Sequence, residues 1–398
     1  MYRAIDCQGF AGGFTLGMVQ AGFTLVGKRE MVGGFGVANC EANRHLLGHG
    51  WQSEAVVPES WSVVDADVVF GNPPCSGFSV MSSKTFRGAD SKINHCMWAF
   101  VDYAARVRPY VAIFESVQNA YTSEAGAELM RALRSRLEDR TGLRYDLHHV
   151  LHNAIAVGGA AIRRRYFFMA TRVPFGVERP RLSAYPVLND VLGDLEILPQ
   201  TWEAQAYRSP ASWWSDQRRS PTGSVDGHVG LDNPLTRRIR DLLDGIRWDP
   251  GMAIGSAAQR YWDTYARLPD SWQSIEEKTV KNEFNMGFTT PTRWHGDRYG
   301  RVVTGGGLHN IVHPRLDRTV THREVARILG FPDDWRIRPL RKLSGLNMTW
   351  GKGITVDCGR WIGGWIRKAL DGTPGSYVGT PLGEREYKID VTNDYPKL

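Results

Sequence analysis

From residue 2 to about residue 172, short β-branched or apolar runs alternate with stretches of helical spacing, and that alternation restricts the fold more than any other feature. Strand, helix and strand repeated along a chain build a largely parallel sheet covered by helices on both faces. The spacing predicts strands over 2–6, 24–30, 66–71, 110–117, 145–151 and 164–171, and helices over 14–21, 37–47, 97–106 and 126–138. The expected fold class is a doubly wound α/β sheet.

Beyond residue 172 the texture changes. Prolines recur, and Trp202, Trp213, Trp214, Trp248, Trp262 and Trp272 fall among basic and polar residues without steady periodicity. A chain of 398 residues is long for one compact domain. A second, smaller domain is therefore expected over 175–318. Helical spacing returns at 321–329 and 358–370, so 1–174 and 319–370 are expected to form the first domain. Glycine, proline and charge mark 371–398 as a surface tail.

A formal charge of +7 suits an anionic partner, although its lysines and arginines are scattered rather than gathered in a tail. The five cysteines (Cys7, Cys40, Cys75, Cys96 and Cys358) are odd in number and form no CxxC pair. A reducing cytoplasm and no structural metal are expected. Neither a signal pattern at the N-terminus nor an apolar run of membrane-spanning length is present. The expectation is a monomer that does not enter a membrane.

The first predicted strand runs from its end at Asp6 into Gly9, Gly12, Gly13 and Gly17, where small residues let a ligand approach the backbone. Glu30 ends the second strand, a position from which a carboxylate can accept hydrogen bonds from a ribose; a solvated strand end is the plainer reading. Asn72, Pro73, Pro74 and Cys75 follow an apolar strand and form a rigid turn at the carboxyl edge of the sheet. Cys7 and Cys40 read as small buried hydrophobes. Cys75 differs, because a proline-fixed loop presents it, and the Ser-, Lys-, Arg- and Gly-rich stretch after it has the composition of a lid. That setting predicts a reactive thiolate.

Glu115 ends another apolar strand, so its carboxylate is expected in the same cleft, with a pKa raised by burial. Arg163 and Arg165 alternate with Arg164 and so share a face, from which two guanidiniums can hold a base or a carboxylate. An exposed strand edge is the alternative.

In chain order these pieces resemble the DNA cytosine-5 methyltransferase family, and the likeness runs from Asp6 to about Trp365. It is carried by the Gly-rich loop from Asp6 to Gly17, Glu30, Gly71 to Ser79 with Pro-Pro-Cys, Glu115-Ser116-Val117, Arg163 with Arg165, and Thr321-His322-Arg323-Glu324-Val325-Ala326-Arg327 before Gly330-Phe331-Pro332. The resemblance implies a mixed sheet of the class I S-adenosylmethionine-dependent methyltransferase type. It implies double-stranded DNA as partner, read by 175–318, and a cytosine swung out of the stack. Cys75 would add to C6, Glu115 would stabilise N3, and Arg163 and Arg165 would position the base and the reacting groups. The donor would lie against Asp6, Gln8, Gly9, Phe10, Gly12, Gly13, Glu30, Asn72, Pro73, Lys352 and Gly353, with no metal.

Several positions depart from the family pattern. Gln8 stands at an aromatic position and Phe10 at a glycine position; Ser116 replaces asparagine, and Ala161 a glutamine. In Trp350-Gly351-Lys352-Gly353-Ile354, Lys352 takes the place of an asparagine near the reactive end of the donor. A lysine about 4 Å from a sulfonium is repelled by at most about 4 kcal/mol at an effective dielectric near 20. A donor bearing a carboxylate on the transferred carbon, as in carboxy-S-adenosylmethionine, would pair with it instead. The expectation leans to 5-carboxymethylcytosine, with 5-methylcytosine as the alternative. An RNA cytosine-5 methyltransferase, an enzyme methylating exocyclic amino groups and a catalytically dead DNA-binding module are further readings; Cys75 and Glu115 argue against the second.

Overall fold

The computed structural model describes residues 1–31, 36–78, 88, 91–178, 180, 182, 184–195, 234–275, 290–304, 310–316, 319–320, 322–336, 350–375 and 384–389. Most of the expected lid after Cys75 (79–87 and 89–90), Thr321, and Trp202, Trp213 and Trp214 lie outside them. The chain divides into two compact units. One comprises 1–159, 163–184 and 353–398, and the other 160–162 and 185–352.

The first unit is built on an eight-stranded sheet. Its strands are β1 (Arg3–Cys7), β2 (Thr24–Glu30), β3 (Gln52–Ala55), β4 (Val68–Gly71), β5 (Val111–Ser116), β6 (Asp146–Asn153), β7 (Arg164–Thr171) and β10 (Glu384–Ile389). The spatial order is β10-β6-β7-β5-β4-β1-β2-β3. β7 runs antiparallel to β5 and β6, and the remaining pairs are parallel. The chain winds outward from β1 through β2 to β3, then returns to β4 and winds the other way. The direction therefore switches between β1 and β4, and beyond the carboxyl ends of those strands lies the crevice where open α/β sheets take ligands.

The helices are α1 (Gly13–Gln20), α2 (Gly36–Ala42), α3 (Arg44–Leu47), α4 (His95–Val107), α5 (Asn119–Thr122) and α6 (Glu124–Thr141), with a C-terminal helix, Val356–Leu370, on the same unit. Every residue of β5 is buried, as a strand covered on both faces requires. Ile5, Cys7, Val69, Phe114 and Phe168 pack with Phe100 of α4 and Met130 and Leu133 of α6 in one core. On the other face Phe14 of α1 meets Phe70 at 4.9 Å and Phe167 at 5.6 Å between ring centroids. Ser123 caps α6 by accepting from the Gly126 amide at 3.2 Å.

Two strands escape the sequence pattern. β3 is polar and at most half-buried, so no apolar run announces it. β10 corrects the expectation of a surface tail: 384–389 pairs with β6, and Tyr387 and Ile389 are buried. Tyr387 donates to the Phe175 carbonyl at 3.1 Å and meets His148 Nδ1 at 3.3 Å. Its aromatic ring and hydroxyl, not the surrounding charge, anchor the strand.

The second unit contains α7 (Leu188–Leu192), α8 (Pro234–Gly245), α9 (Ile254–Tyr265), the two-stranded ladder β8 (Thr292–Arg293) with β9 (Ile311–Val312), and α10 (His322–Ile328). The C-terminal helix Val356–Leu370 of the first unit is α11. Trp248 and Trp272 are fully buried in the second unit with Leu242, Ile254, Ala257 and Val312, and Trp272 Nε1 donates to the Arg238 carbonyl at 3.0 Å. These two tryptophans are core residues and do not face a ligand. The compact units differ from the expected segments: 175–184 and 371–398 lie in the first unit, and 160–162 and 319–352, with α10, in the second.

Candidate active site

Residues 8–12 turn sharply between β1 and α1. Gln8 (φ 64°) and Phe10 (φ 43°) have left-handed backbones, as does Gly12 (φ 93°), whose amide donates to the Gly9 carbonyl at 2.9 Å. For non-glycine residues this conformation costs about 1 kcal/mol or more each, strain characteristic of functional loops. Gly9 has no alternative, because a Cβ there would lie 2.3 Å from Asp6 Oδ2 and 2.7 Å from Lys28 Nζ.

Beneath that loop is a buried charge cluster. Asp6 Oδ2 accepts from Thr15 Oγ1 at 2.5 Å and pairs with Lys28 Nζ at 2.9 Å, both side chains being fully buried. Lys28 Nζ also stands 4.0 Å from Glu30 Oε2. Burial works against the Lys28 charge, but Asp6 foremost, with Cys40 and Glu30, outweighs it and raises the pKa. Burial raises the Glu30 pKa as well, against the opposing pull of Lys28. Lys28 was not singled out from the sequence, where a lysine inside a strand carries no motif. Its pairing in register with Asp6 across β1 and β2 is what reveals it.

The carboxyl ends of β4 and β5 carry the second group. The Asn72 amide donates to the Cys7 carbonyl at 3.1 Å, tying the turn to β1. The Asn72 side chain donates to the Glu115 carboxylate, which is 1% exposed, and Arg165 Nε pairs with Glu115 Oε1 at 2.5 Å. Burial raises the Glu115 pKa, while Arg165, Arg163 and Asn72 pull it down. Arg163 and Arg165 are buried and half-buried and Arg164 is exposed, the alternation expected of them. Their partners differ: Arg165 holds Glu115, whereas Arg163 Nε donates to the Gly353 carbonyl at 2.7 Å. Burial, then Arg165, lowers the Arg163 pKa to about 9.

Cys75 is half-buried, in contrast to Cys7, Cys40, Cys96 and Cys358, which are buried. Its pKa is raised, first by burial and then by the Glu115 carboxylate, with Arg165, the Val117 backbone and the Ser116 hydroxyl opposing. That direction favours the thiol over the expected thiolate: burial is the main cause, and the neighbouring carboxylate, invisible in the local sequence, adds to it.

Asp6, Gln8, Gly9, Phe10, Gly12, Gly13, Glu30, Asn72, Pro73 and Gly353 all belong to the first unit, at the loops following β1, β2 and β4 and at the entry to α11. A Cβ on Gly353 (φ 76°) would lie 3.1 Å from Asn72 Oδ1 and 3.8 Å from Phe10 Cβ. Lys352 is exposed and belongs to the second unit. Buried Asp6 Oδ1, both amide atoms of Gln8 and Asn72 Oδ1 have no hydrogen-bond partner among the described residues. Orphaned polar atoms beside glycine-lined turns fit a polar small molecule that completes them. Among the described residues no cluster of His, Cys, Asp or Glu is arranged to hold a metal, and no helix is long and apolar enough to cross a membrane.

Comparison with known proteins agrees with this geometry. Residues 2–368 match the model of the C-5 cytosine-specific DNA methylase family. The chain is 25% identical over 400 residues to the type II methyltransferase M.XorII of Xanthomonas oryzae, covering 93% of this chain and 85% of the relative. It is 24% identical over 307 residues to M.DdeI of Desulfomicrobium norvegicum, covering 74% and 68%. Among solved structures, an E. coli prophage protein described as a DNA modification methyltransferase shares the fold with a TM-score of 0.61 at 17% identity, covering 93% of this chain and all of that one. The mixed sheet is thus of the class I methyltransferase type, and the chain, a transferase, belongs to the C-5 cytosine-specific DNA methylase family.

Proposed function

We propose that this protein alkylates carbon 5 of cytosine in double-stranded DNA through a covalent adduct on Cys75. The observation that carries the reading is the half-buried thiol of Cys75 beside a buried Glu115 that is clamped by Asn72 and Arg165. Chemistry on C6 requires the cytosine to leave the stack. Cys75 loses its proton and its sulfur forms a bond to C6, while the C5–C6 π electrons move toward the ring carbonyl and N3. The raised pKa of Glu115 suits it to deliver a proton or hydrogen bond to N3, so that the displaced charge is neutralised. Arg165 holds Glu115 in place, and Arg163 fixes the Gly353 carbonyl at the entry to α11.

An S-adenosylmethionine-type donor would be held by Asp6, Gln8, Gly9, Phe10, Gly12, Gly13, Glu30, Asn72, Pro73 and Gly353, and it supplies an electrophilic carbon on a sulfonium. C5 would take that carbon as its bond to the sulfonium sulfur breaks and the neutral thioether departs; a base would then remove the C5 proton as the C6–S bond breaks to return Cys75. The group transferred is read as carboxymethyl, from carboxy-S-adenosylmethionine. Support comes from Lys352, which stands where the family has asparagine and whose side chain is exposed; an ammonium suits a carboxylate on the transferred carbon.

Two measurements test these readings separately. A 5-fluorocytosine duplex should form an adduct that survives denaturation and disappears in Cys75→Ala; binding without adduct would mark a non-catalytic module. Mass spectrometry of nucleosides after incubation with each donor should show 5-carboxymethylcytosine. Efficient 5-methylcytosine formation without it would return the enzyme to ordinary methyl transfer.

A further inference from the structure

We propose that Lys28 is a positioning residue of the donor site: by bridging Asp6 and Glu30 it holds the Glu30 carboxylate ionised and in place to accept the ribose hydroxyls of the donor. The inference rests on the donor-site reading above and deepens it. Three observations support it. Lys28 and Asp6 face each other in register on neighbouring strands, and their fully buried side chains meet at 2.9 Å. The same ammonium reaches toward Glu30 Oε2 at 4.0 Å, along its own strand. Finally, the turns on either side leave no room for side chains around the cluster: a Cβ on Gly9 would lie 2.7 Å from Lys28 Nζ, and one on Gly36 2.4 Å from Glu30 Oε2.

The physical need for such a cation is plain. Glu30 stands beside the Asp6 carboxylate at a site with almost no solvent, where burial and the like charge both disfavour its ionisation. A protonated Glu30 would lose an acceptor lone pair at the place where a ribose donates. Lys28 offsets both effects from a position that needs no direct contact with the ligand. The other groups facing this carboxylate are Asp6 from β1, the Cys40 thiol from α2 and Cys96 from α4, with the Met31 and Gly36 amides hydrogen-bonding it. Both thiols are raised by burial, Cys40 to about 12 and Cys96 to about 11, so neither changes charge near neutral pH.

Calorimetric binding of S-adenosylhomocysteine and of its 2′,3′-dideoxy analogue, measured from about pH 6 to about pH 9, tests the proposal without catalysis. The wild type should prefer the hydroxylated ligand by about tenfold or more across this range, as a hydrogen bond to a charged acceptor allows. In Lys28→Met the Glu30 pKa rises further, so the preference should shrink toward unity at the acid end and recover as the pH rises. Should burying an unpaired Asp6 prevent folding, Asp6→Asn/Lys28→Met removes that charge as well and should show the same loss and recovery. A preference unchanged at every pH in a folded variant, or equal weakening of both ligands, would overturn the role of Lys28. Failure of the wild type to bind S-adenosylhomocysteine would overturn the donor site itself.

Discussion

At the scale of single residues, the Glu115 carboxylate acts on the neighbouring Cys75 thiol. Glu115 is the second cause, after burial, of the raised Cys75 pKa. In Glu115→Gln that contribution vanishes, so the thiolate fraction of Cys75 near neutral pH should rise and iodoacetamide should label it faster. On the proposed mechanism, group transfer should nevertheless fall by about a hundredfold or more, because glutamine cannot supply the proton assigned to Glu115. Arg165→Met should slow labelling, since Arg165 lowers the thiol pKa. Peptide mass spectrometry can assign the label, because the other four cysteines are buried. A labelling rate indifferent to Glu115→Gln would count against the pairing. The candidate nucleophile and acid were picked out from strand ends, and the alternation of the arginines was legible from spacing. Lys28 and the protonation of Cys75 were not, because both depend on which strands lie side by side.

Secondary-structure elements show a similar division. β2 and β7 have the bounds that their apolar runs predict, and β1, β4, β5 and β6 differ by a residue or two, as strand ends commonly do. The single helix expected over 37–47 is broken at Asn43, whose side chain bonds the Asn39 carbonyl at 2.7 Å. The apolar face of α11 was legible as helical spacing, but its close approach to α1 was hidden, because that depends on glycines. A Cβ on Gly17 would lie 2.4 Å from the Arg360 amide nitrogen and 2.5 Å from the Gly359 carbonyl carbon. These are backbone atoms that cannot turn aside, so Gly17→Ala should destabilise the first unit by about 1–3 kcal/mol in denaturant unfolding. β6 carries a second liability. Burial, with Arg385 and His149 adding, lowers the His148 pKa to about 3, and burial, with Arg165 and Arg163, does the same to His152. The unfolded chain would protonate both near 6.5 while the folded chain does not. Stability is therefore full above that pH and lost as the pH falls toward about 3, at up to about 1.4 kcal/mol per unit for each histidine. Phenylalanine at both positions should flatten the acid limb of the melting-temperature profile, and an unchanged limb would refute the assignment.

For the whole molecule, the formal charge of +7 acquires a location once burial is known. The buried cations Lys28, Arg29, Arg163, Arg293 and Arg323 are nearly matched by the buried acids Asp6, Glu30, Glu115 and Glu324. Several of these guanidiniums are occupied with carbonyls: Arg29 donates to the Ser62 and Gln52 carbonyls, Arg293 to those of His313 and Leu316, and Arg323 to those of Pro332 and Trp335. Among the described residues, then, the core holds almost none of the positive excess, and the cations outside it can meet phosphate. The two-domain character was legible from the change of texture after residue 172, but not the allocation of 319–352, because a helical period does not say which core a helix joins. If the outer cations contact about six phosphates of a duplex, affinity should fall about a thousandfold between about 50 and about 200 mM salt, as bound counterions are released. Fluorescence anisotropy with a labelled duplex across that range measures the slope. Arginines already spent on carbonyls should not contribute to it, so Arg293→Met, where it folds, should leave the slope unchanged. A wild-type affinity insensitive to salt would count against duplex DNA as the partner.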